Sequence, residues 1–354
     1  MAYDHQNKDS CLDHGRLHAV DRPEPAECAV RDATIAVRWS RQPTASVAIL
    51  LCTRNGQAHL VEQLESIARQ HWPAWFVALS DDGSTDRTLE IARHYRDLWG
   101  GQRLSLWQGP QRGFAQNFLS CVRNPALSAE FYAWCDQDDV WHEDKLTQAV
   151  CWLQSIPAQR PALYMGRTRL IDAQGRPIGL SPRFRRRPGF ANALVQNIGG
   201  GNTMVFNHAA RCLLSEFGTQ LERSSLEVVS HDWWAYLVVT GVGGQVLYDP
   251  RPYVNYRQHD ANLVGANTGW KARWLRLRLL LQGRLRDWNS THLCALEAVQ
   301  GHLTEENRQL LRQFRQLRGA PLGRRLTGLW RARLYRQTLV GGLGLWLAAV
   351  VGVL

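Results

Sequence analysis

The feature that most restricts this chain is a pair of short apolar runs, each ending in a cluster of carboxylates. Trp75–Leu79 leads into Asp81-Asp82-Gly83-Ser84-Thr85-Asp86, and Phe131–Cys135 runs straight into Asp136-Gln137-Asp138-Asp139. Strand and helix signals alternate around them from Ser46 onward. Ser46–Cys52 is a continuous Val/Ile/Leu run, the mark of a strand buried on both faces. Leu60, Leu64, Ile67 and Ala68 then recur at helical spacing. Further helices are expected through Leu89, Ile91 and Ala92, over Phe114–Val122, and from His142 to about Leu153, with a strand at Arg103–Trp107. This spacing predicts a mostly parallel sheet with right-handed crossovers, a doubly covered α/β fold. Ligands bind such sheets at the carboxyl ends of the strands. Both acidic clusters fall there.

Past Leu163 the pattern loosens. Strands are expected at Ala162–Ile171, Asn202–Phe206 and Gln245–Tyr248, and helices near Phe190–Val195 and Trp233–Val239. Residues 1–44 are polar and aperiodic, read as a poorly ordered extension without a signal peptide. The eight cysteines contain no C-x-x-C pair, and read as reduced structural thiols of a cytosolic compartment.

Absences narrow the chemistry. Only Lys8, Lys145 and Lys271 are lysines; none follows a glycine, which removes the Walker A loop. The first strand leads into Cys52-Thr53-Arg54-Asn55-Gly56, whose single glycine does not make a dinucleotide fingerprint. No H-E-x-x-H occurs. What remains is acid at strand ends. Asp136 and Asp138, two apart, share a face and can grip one hard cation, magnesium or manganese, with positions left open for phosphate oxygens. Asp139 suits a helix cap. A carboxylate of the Asp81–Asp86 turn, Asp82, can accept from a pyrimidine N3–H or a ribose hydroxyl. Thr53 and Asn55 end the first strand and can line the same nucleotide pocket; each is equally a turn former.

The series V-A-I-L-L-C-T-R-N-G, S-D-D-G-S-T-D and C-D-Q-D-D-V-W-H-E-D-K-L resembles the family 2 glycosyltransferases of GT-A fold over about residues 46–265. Ser230-His231-Asp232-Trp233-Trp234 resembles the family's acidic motif opening a helix, which implies Asp232 as catalytic base. Tyr256 to Gly265 resembles the segment closing over the diphosphate. Within it His259 is implied as a metal ligand beside Asp138, and Arg257 as a phosphate partner. Gly200 and Gly201 lie in a stretch that resembles the glycine-rich loop where sugars approach backbone. With Thr53, Asn55, Asp82 and Asp136 these form the expected donor site. The blocks together look most like the bacterial rhamnosyltransferase-like branch, which carries a proline where this chain has His142-Glu143; the helix start should shift slightly. The resemblance implies an inverting transfer of a sugar, with rhamnose the candidate, from a dTDP- or UDP-sugar to a glycan or lipid-linked acceptor of the cell envelope. A UDP-hexose donor, or a non-catalytic scaffold on the same fold, are the alternatives.

The expected organisation is an extension at 1–44, a GT-A catalytic domain at 45–266, a basic amphipathic helical region at 267–336 and an apolar segment at 337–354. The net charge is +11, and fifteen Lys/Arg against four Asp/Glu between Trp270 and Arg336 account for all of it. Trp274, Leu275, Leu277 and Leu279 interleave there with Arg273, Arg276 and Arg278. Such a helix suits an anionic membrane surface. Nucleic acid is the rival partner for this charge, but the uncharged residues 337–354, at the short edge of what spans a bilayer, favour membrane. The expected location is the cytoplasmic face of the inner membrane, peripheral or C-terminally anchored.

Overall fold

The computed structural model describes residues 45–258 and 284–354. The expectations for residues 1–44, for His259 and for the amphipathic stretch before residue 284 lie outside those described. The described residues fall in one compact unit. At its centre stands β1 (Val47–Thr53), with no polar side chain before Thr53. Every second residue faces one way: Val47, Ile49 and Leu51 enter one core, and Ala48, Leu50 and Cys52 enter the other. That two-sided burial is what a continuous apolar strand requires.

Beside β1 lie β2 (Trp75–Asp81) and β4 (Phe131–Cys135), and β3 (Leu104–Gln108) flanks β2, all parallel. The sheet continues through β8 (Val205–Asn207), β6 (Ala162–Ile171), β9 (Gln245–Arg257) and the short β5 (Val140–Trp141), in the order β3-β2-β1-β4-β8-β6-β9-β5, with β7 (Pro177–Leu180) on β6. The expected parallel sheet is therefore its first half. In the second half β8 is antiparallel to β4 and to β6, and only β6 and β9 run parallel.

Helices α1 (Leu60–Ala68), α2 (Thr88–Trp99) and α4 (Lys145–Gln154) cover one face through Leu60, Leu64, Ile67, Ala92, Leu146 and Val150. The other face carries α3 (Phe114–Arg123), α5 (Phe190–Ala193), α6 (His208–Arg223) and α7 (His231–Gly241). Four C-terminal helices add to that second core: α8 (Arg284–Ala298), α9 (Glu305–Arg318), α10 (Leu322–Arg331) and α11 (Leu339–Val351). Leu296, Phe314, Leu329 and Leu345 bury into the same cluster as Trp234.

Three local differences have physical reasons. Helix α6 was not expected, because Gly218 and scattered polar residues dilute its stripe. Ala210, Leu214, Phe217 and Leu221 nonetheless form one buried face, and Asn207 caps it by accepting from the Ala210 N–H. Strand β9 runs on past Tyr248, where Asp249-Pro250-Arg251-Pro252 reads as a turn. Asp249 instead accepts from the backbone N–H of Arg251 at 2.9 Å and from the Tyr164 hydroxyl at 2.9 Å, and the strand irregularity against β6 at Gly166–Thr168 absorbs the prolines. Helix α4 begins at Lys145 rather than His142, because His142 still pairs with Tyr253 of β9 through its N–H at 2.9 Å.

Candidate active site

Thr53 pairs with Asp81 and Leu51 with Cys135, so the carboxyl ends of β1, β2 and β4 finish along one line. Three loops meet there. The first acidic turn is fully engaged in building its own loop. Asp81 accepts from the Thr53 hydroxyl at 2.9 Å, from the Ser84 hydroxyl at 2.5 Å and from the Ser84 N–H at 2.8 Å. Asp82 is buried, and its two oxygens accept from the N–H groups of Gln111 at 2.6 Å and Gly113 at 3.0 Å, which fixes the loop before α3. Asn55 takes a left-handed backbone (φ 51°), and its side-chain oxygen accepts from the Thr85 N–H at 2.8 Å. Of the expected donor-site residues, Thr53, Asn55 and Asp82 are thus brought together, and each carries a hydrogen bond that frames the loops.

The second acidic turn is different. Asp136 and Asp138 are partly buried and Asp139 is fully so. Burial, then the charges of Asp139, Asp138 and Asp232, push the Asp136 carboxyl well above its ordinary range. Burial and the neighbouring Asp138 raise Asp139 to about 7, against hydrogen bonds from the Asn202 amide at 2.5 Å and the Arg257 N–H at 3.2 Å. Gln137, between the acids, clasps the β1 loop. Its side-chain oxygen accepts from the Arg54 N–H at 2.8 Å, and its amide donates to the Arg54 carbonyl at 3.0 Å.

Beneath the acids lies Lys145. Its ammonium is buried, sits 3.2 Å from the Trp141 ring centroid and has no hydrogen-bond partner among the described residues. Burial lowers it to about 7, while Cys135, Asp139 and Asp136 act to keep it charged. Sequence reasoning passed over this residue. The available signal was composition: a chain with 39 arginines places its one lysine between residues 45 and 258 directly after the acidic block.

Asp232 enters from the other half of the sheet. Helix α7 is buried at every position except Asp232, which sits partly exposed in its first turn. Tyr256, near the end of β9, feels all four acids: burial first, then the charges of Asp139, Asp136, Asp138 and Asp232, hold its hydroxyl well above the ordinary range. Residues 96 positions apart, Asp136 and Asp232, thus lie close enough for their charges to interact.

The glycine loop positions α7 against this cluster. A Cβ on Gly201 would overlap the Nε2 of His231, and one on Gly199 would meet the Met165 sulfur at 2.7 Å. The chain threads between them and delivers Asn202 to Asp139. Gly200 leads into the turn, where its carbonyl accepts from the Thr203 hydroxyl at 2.8 Å. His231 stacks on Phe118 with ring centroids 3.9 Å apart, and burial lowers it to about 4. Trp233 and Trp234 are core residues.

Arg257 has a structural occupation that spacing could not reveal. It is 2% exposed; its guanidinium donates to Glu62 on α1 at 2.5 Å, to the Asp138 carbonyl at 3.0 Å and to the Ala173 carbonyl at 3.1 Å. It holds the acid loop from behind.

Carboxylate is the ligand chemistry a hard cation prefers. Three carboxylates crowd one turn, and their mutual repulsion is what a divalent ion relieves. Among the described residues no three His, Cys, Asp or Glu side chains are grouped so as to hold a metal ion; a magnesium bound by one or two carboxylates would take its other ligands from phosphate oxygens and water.

Residues 48–214 match the family described as Glycosyl transferase family 2. The dTDP-rhamnosyl transferase RfbG of Shigella flexneri is 26% identical over 242 residues, 65% of this chain and 78% of that protein. Among solved structures, TarS of S. aureus in complex with UDP-GlcNAc is 14% identical with a TM-score of 0.45, covering 82% of this chain and 93% of that one. The mannosyltransferase PcManGT of Pyrobaculum calidifontis, in complex with GDP-Man and Mn2+, is 16% identical with a TM-score of 0.45, covering 87% and 86%.

Proposed function

We propose, starting from the family 2 glycosyltransferase domain of GT-A fold that this chain carries, that the protein moves rhamnose from dTDP-rhamnose to a hydroxyl of a cell-envelope glycan or lipid-linked acceptor, with inversion. The observation that carries the transfer is the convergence of Asp232 with Asp136, Asp138 and Asp139 around Tyr256. The rhamnosyl donor rests on the likeness to the Shigella flexneri enzyme.

In this reading Asp232 accepts the proton of the acceptor hydroxyl as its oxygen bonds to the anomeric carbon. The bond from that carbon to the diphosphate oxygen breaks on the opposite face, and the electron pair leaves with the nucleoside diphosphate. A positioned base contributes about two to four orders of magnitude. Two of the other acids are otherwise engaged: Asp139 is sealed by Asn202 and Arg257, and burial, then its acidic neighbours, raise Asp136 above its ordinary range. Asp138, with His259 from the segment that follows β9, is proposed to hold a magnesium or manganese ion, whose charge would stabilise the departing diphosphate. Asp136, Thr53, Asn55, Asp82 and the Gly200–Gly201 loop are proposed to shape the donor pocket, and Arg257 to keep the acid turn in place.

The experiment is a donor screen reading nucleoside diphosphate release, with and without manganese. Release from dTDP-rhamnose that exceeds release from UDP-sugars and stops in EDTA is the expected result. Preference for a UDP-hexose overturns the donor, and silence across all nucleotide sugars overturns the transferase.

A further inference from the structure

Helix α11 buries one apolar face and exposes another. Leu345, Ala348 and Ala349 face the core, whereas Leu339, Leu343, Trp346, Leu347, Val350 and Val351 face outward along a single stripe. Leu339 is 91% exposed and Leu343 71%, values that no folded helix of ordinary amphipathicity gives its leucines. At 13 residues the helix is about 20 Å long, and no described helix is long and apolar enough to cross a membrane.

Arginine is the only charged residue type near this helix in sequence. From Leu322 to Leu354 there are five arginines and no Asp or Glu. Arg183, Arg185 and Arg187 lie exposed on the loop before α5, and that loop is stitched to the residues preceding α11. The Tyr335 hydroxyl donates to the Arg187 carbonyl; the Gln337 amide donates to the Arg186 carbonyl at 3.0 Å, and the Arg186 N–H donates back to Gln337 at 3.0 Å. The Arg186 guanidinium lies 3.9 Å from the Tyr335 ring centroid.

We propose that the outward face of α11 lies in the plane of an anionic lipid bilayer, its aliphatic side chains among the acyl chains and the Arg183–Arg187 loop on the headgroups. The charge decides against a second copy as occupant, since pairing two such faces would bring two carboxylate-free arginine segments together. An anionic interface satisfies both the stripe and the arginines. The attachment also reaches the acid cluster mechanically. Asn192 on α5 donates to the Tyr335 carbonyl at 3.0 Å and accepts from the Tyr236 hydroxyl at 2.9 Å, one turn along α7 from Asp232. The inference stands whichever sugar the site transfers.

The test is flotation of the full chain with vesicles of phosphatidylglycerol and phosphatidylethanolamine, against vesicles of phosphatidylcholine alone. Wild type should bind the anionic vesicles and lose most of that binding in high salt. L339E/L343E should weaken it at least about tenfold with an unchanged urea unfolding curve. R183A/R185A/R187A should weaken binding to anionic vesicles by at least about tenfold and leave phosphatidylcholine binding unaltered; this variant decides the matter if the glutamates disturb folding. Equal flotation of wild type and both variants overturns the proposal. So does a wild-type dimer, broken by L339E/L343E, that binds no vesicles.

Discussion

Strands β2 and β4 flank β1 and both end in aspartates, yet the two acidic turns do opposite things. After β2, each carboxylate oxygen has hydroxyl or N–H donors: Thr53 and Ser84 for Asp81, Gln111 and Gly113 for Asp82. That turn is architecture. After β4, the acids face one another, a desolvated lysine and Asp232, with burial working against their charge. Identical residue types at neighbouring strand ends differ in their surroundings: the first pair is held by donors of its own loops, whereas the second turn gathers buried carboxyls beside one another and beside Lys145. Buried, perturbed carboxyls collect at functional sites, and the second turn is the one we propose for the chemistry.

The largest effect expected on the chemical side of this contrast is at Asp232. Asp232→Asn should lower the transfer rate by about two to four orders of magnitude while donor affinity and melting temperature stay near wild type. Turnover close to wild type in that variant, measured under saturating donor, would remove the base from the account. On the scaffold side, Asp82→Ala leaves two N–H groups without their charged acceptor. It should cost about 3 kcal/mol in urea unfolding; a loss below about 1 kcal/mol would mean the first turn does not hold the loop before α3.

His231 tests burial beside Asp232 by pH. Its folded value of about 4 lies below the ordinary 6.5, with burial as the cause and Asp232 opposing. The unfolded chain therefore binds more protons between these values, and stability is lost as pH falls from about 6.5 toward 4. His231→Phe should abolish that limb, worth roughly 3 kcal/mol in all, without altering stability at pH 8 by a comparable amount. An unchanged acid limb would mean the ring is not buried neutral. The smallest effect is expected at Lys145. Lys145→Met keeps the contact with Trp141 but removes a charge that favours ionised Asp136 and Asp139. The acid limb of the rate profile should move to higher pH, with roughly tenfold lower activity at pH 7 and recovery in more alkaline buffer. A uniform loss at all pH values would make Lys145 merely structural.

Much of this contrast was legible in the sequence. The apolar runs at 46–52, 75–79 and 131–135 announced strands, the first buried on both faces, and the acidic ends of the other two named the edge where ligands meet. Asp232 could be singled out through the resemblance of Ser230–Trp234 to the family's acidic motif, and the structure makes it the lone acid of an otherwise apolar helix. What sequence could not show is which lone pairs are occupied. That depends on contacts between distant segments: Asp82 with Gln111, Asp139 with Asn202, Arg257 with Glu62. The same reason hid Lys145, whose partner ring at Trp141 and acidic neighbours are assembled only by packing of α4 on the sheet. The glycines at 199–201 read as room for a sugar; two of them make room for Met165 and His231.

The most direct measurement sets the two turns side by side: urea unfolding and nucleoside diphosphate release for Asp82→Ala and Asp138→Ala in the same buffer. The account predicts a crossing. Asp82→Ala should lose stability by about 3 kcal/mol, whereas Asp138→Ala, relieved of a repelling charge, should match or exceed wild-type stability and release no nucleoside diphosphate with or without manganese. If stability and turnover fall together by similar amounts in both variants, the division between scaffold and chemistry is wrong.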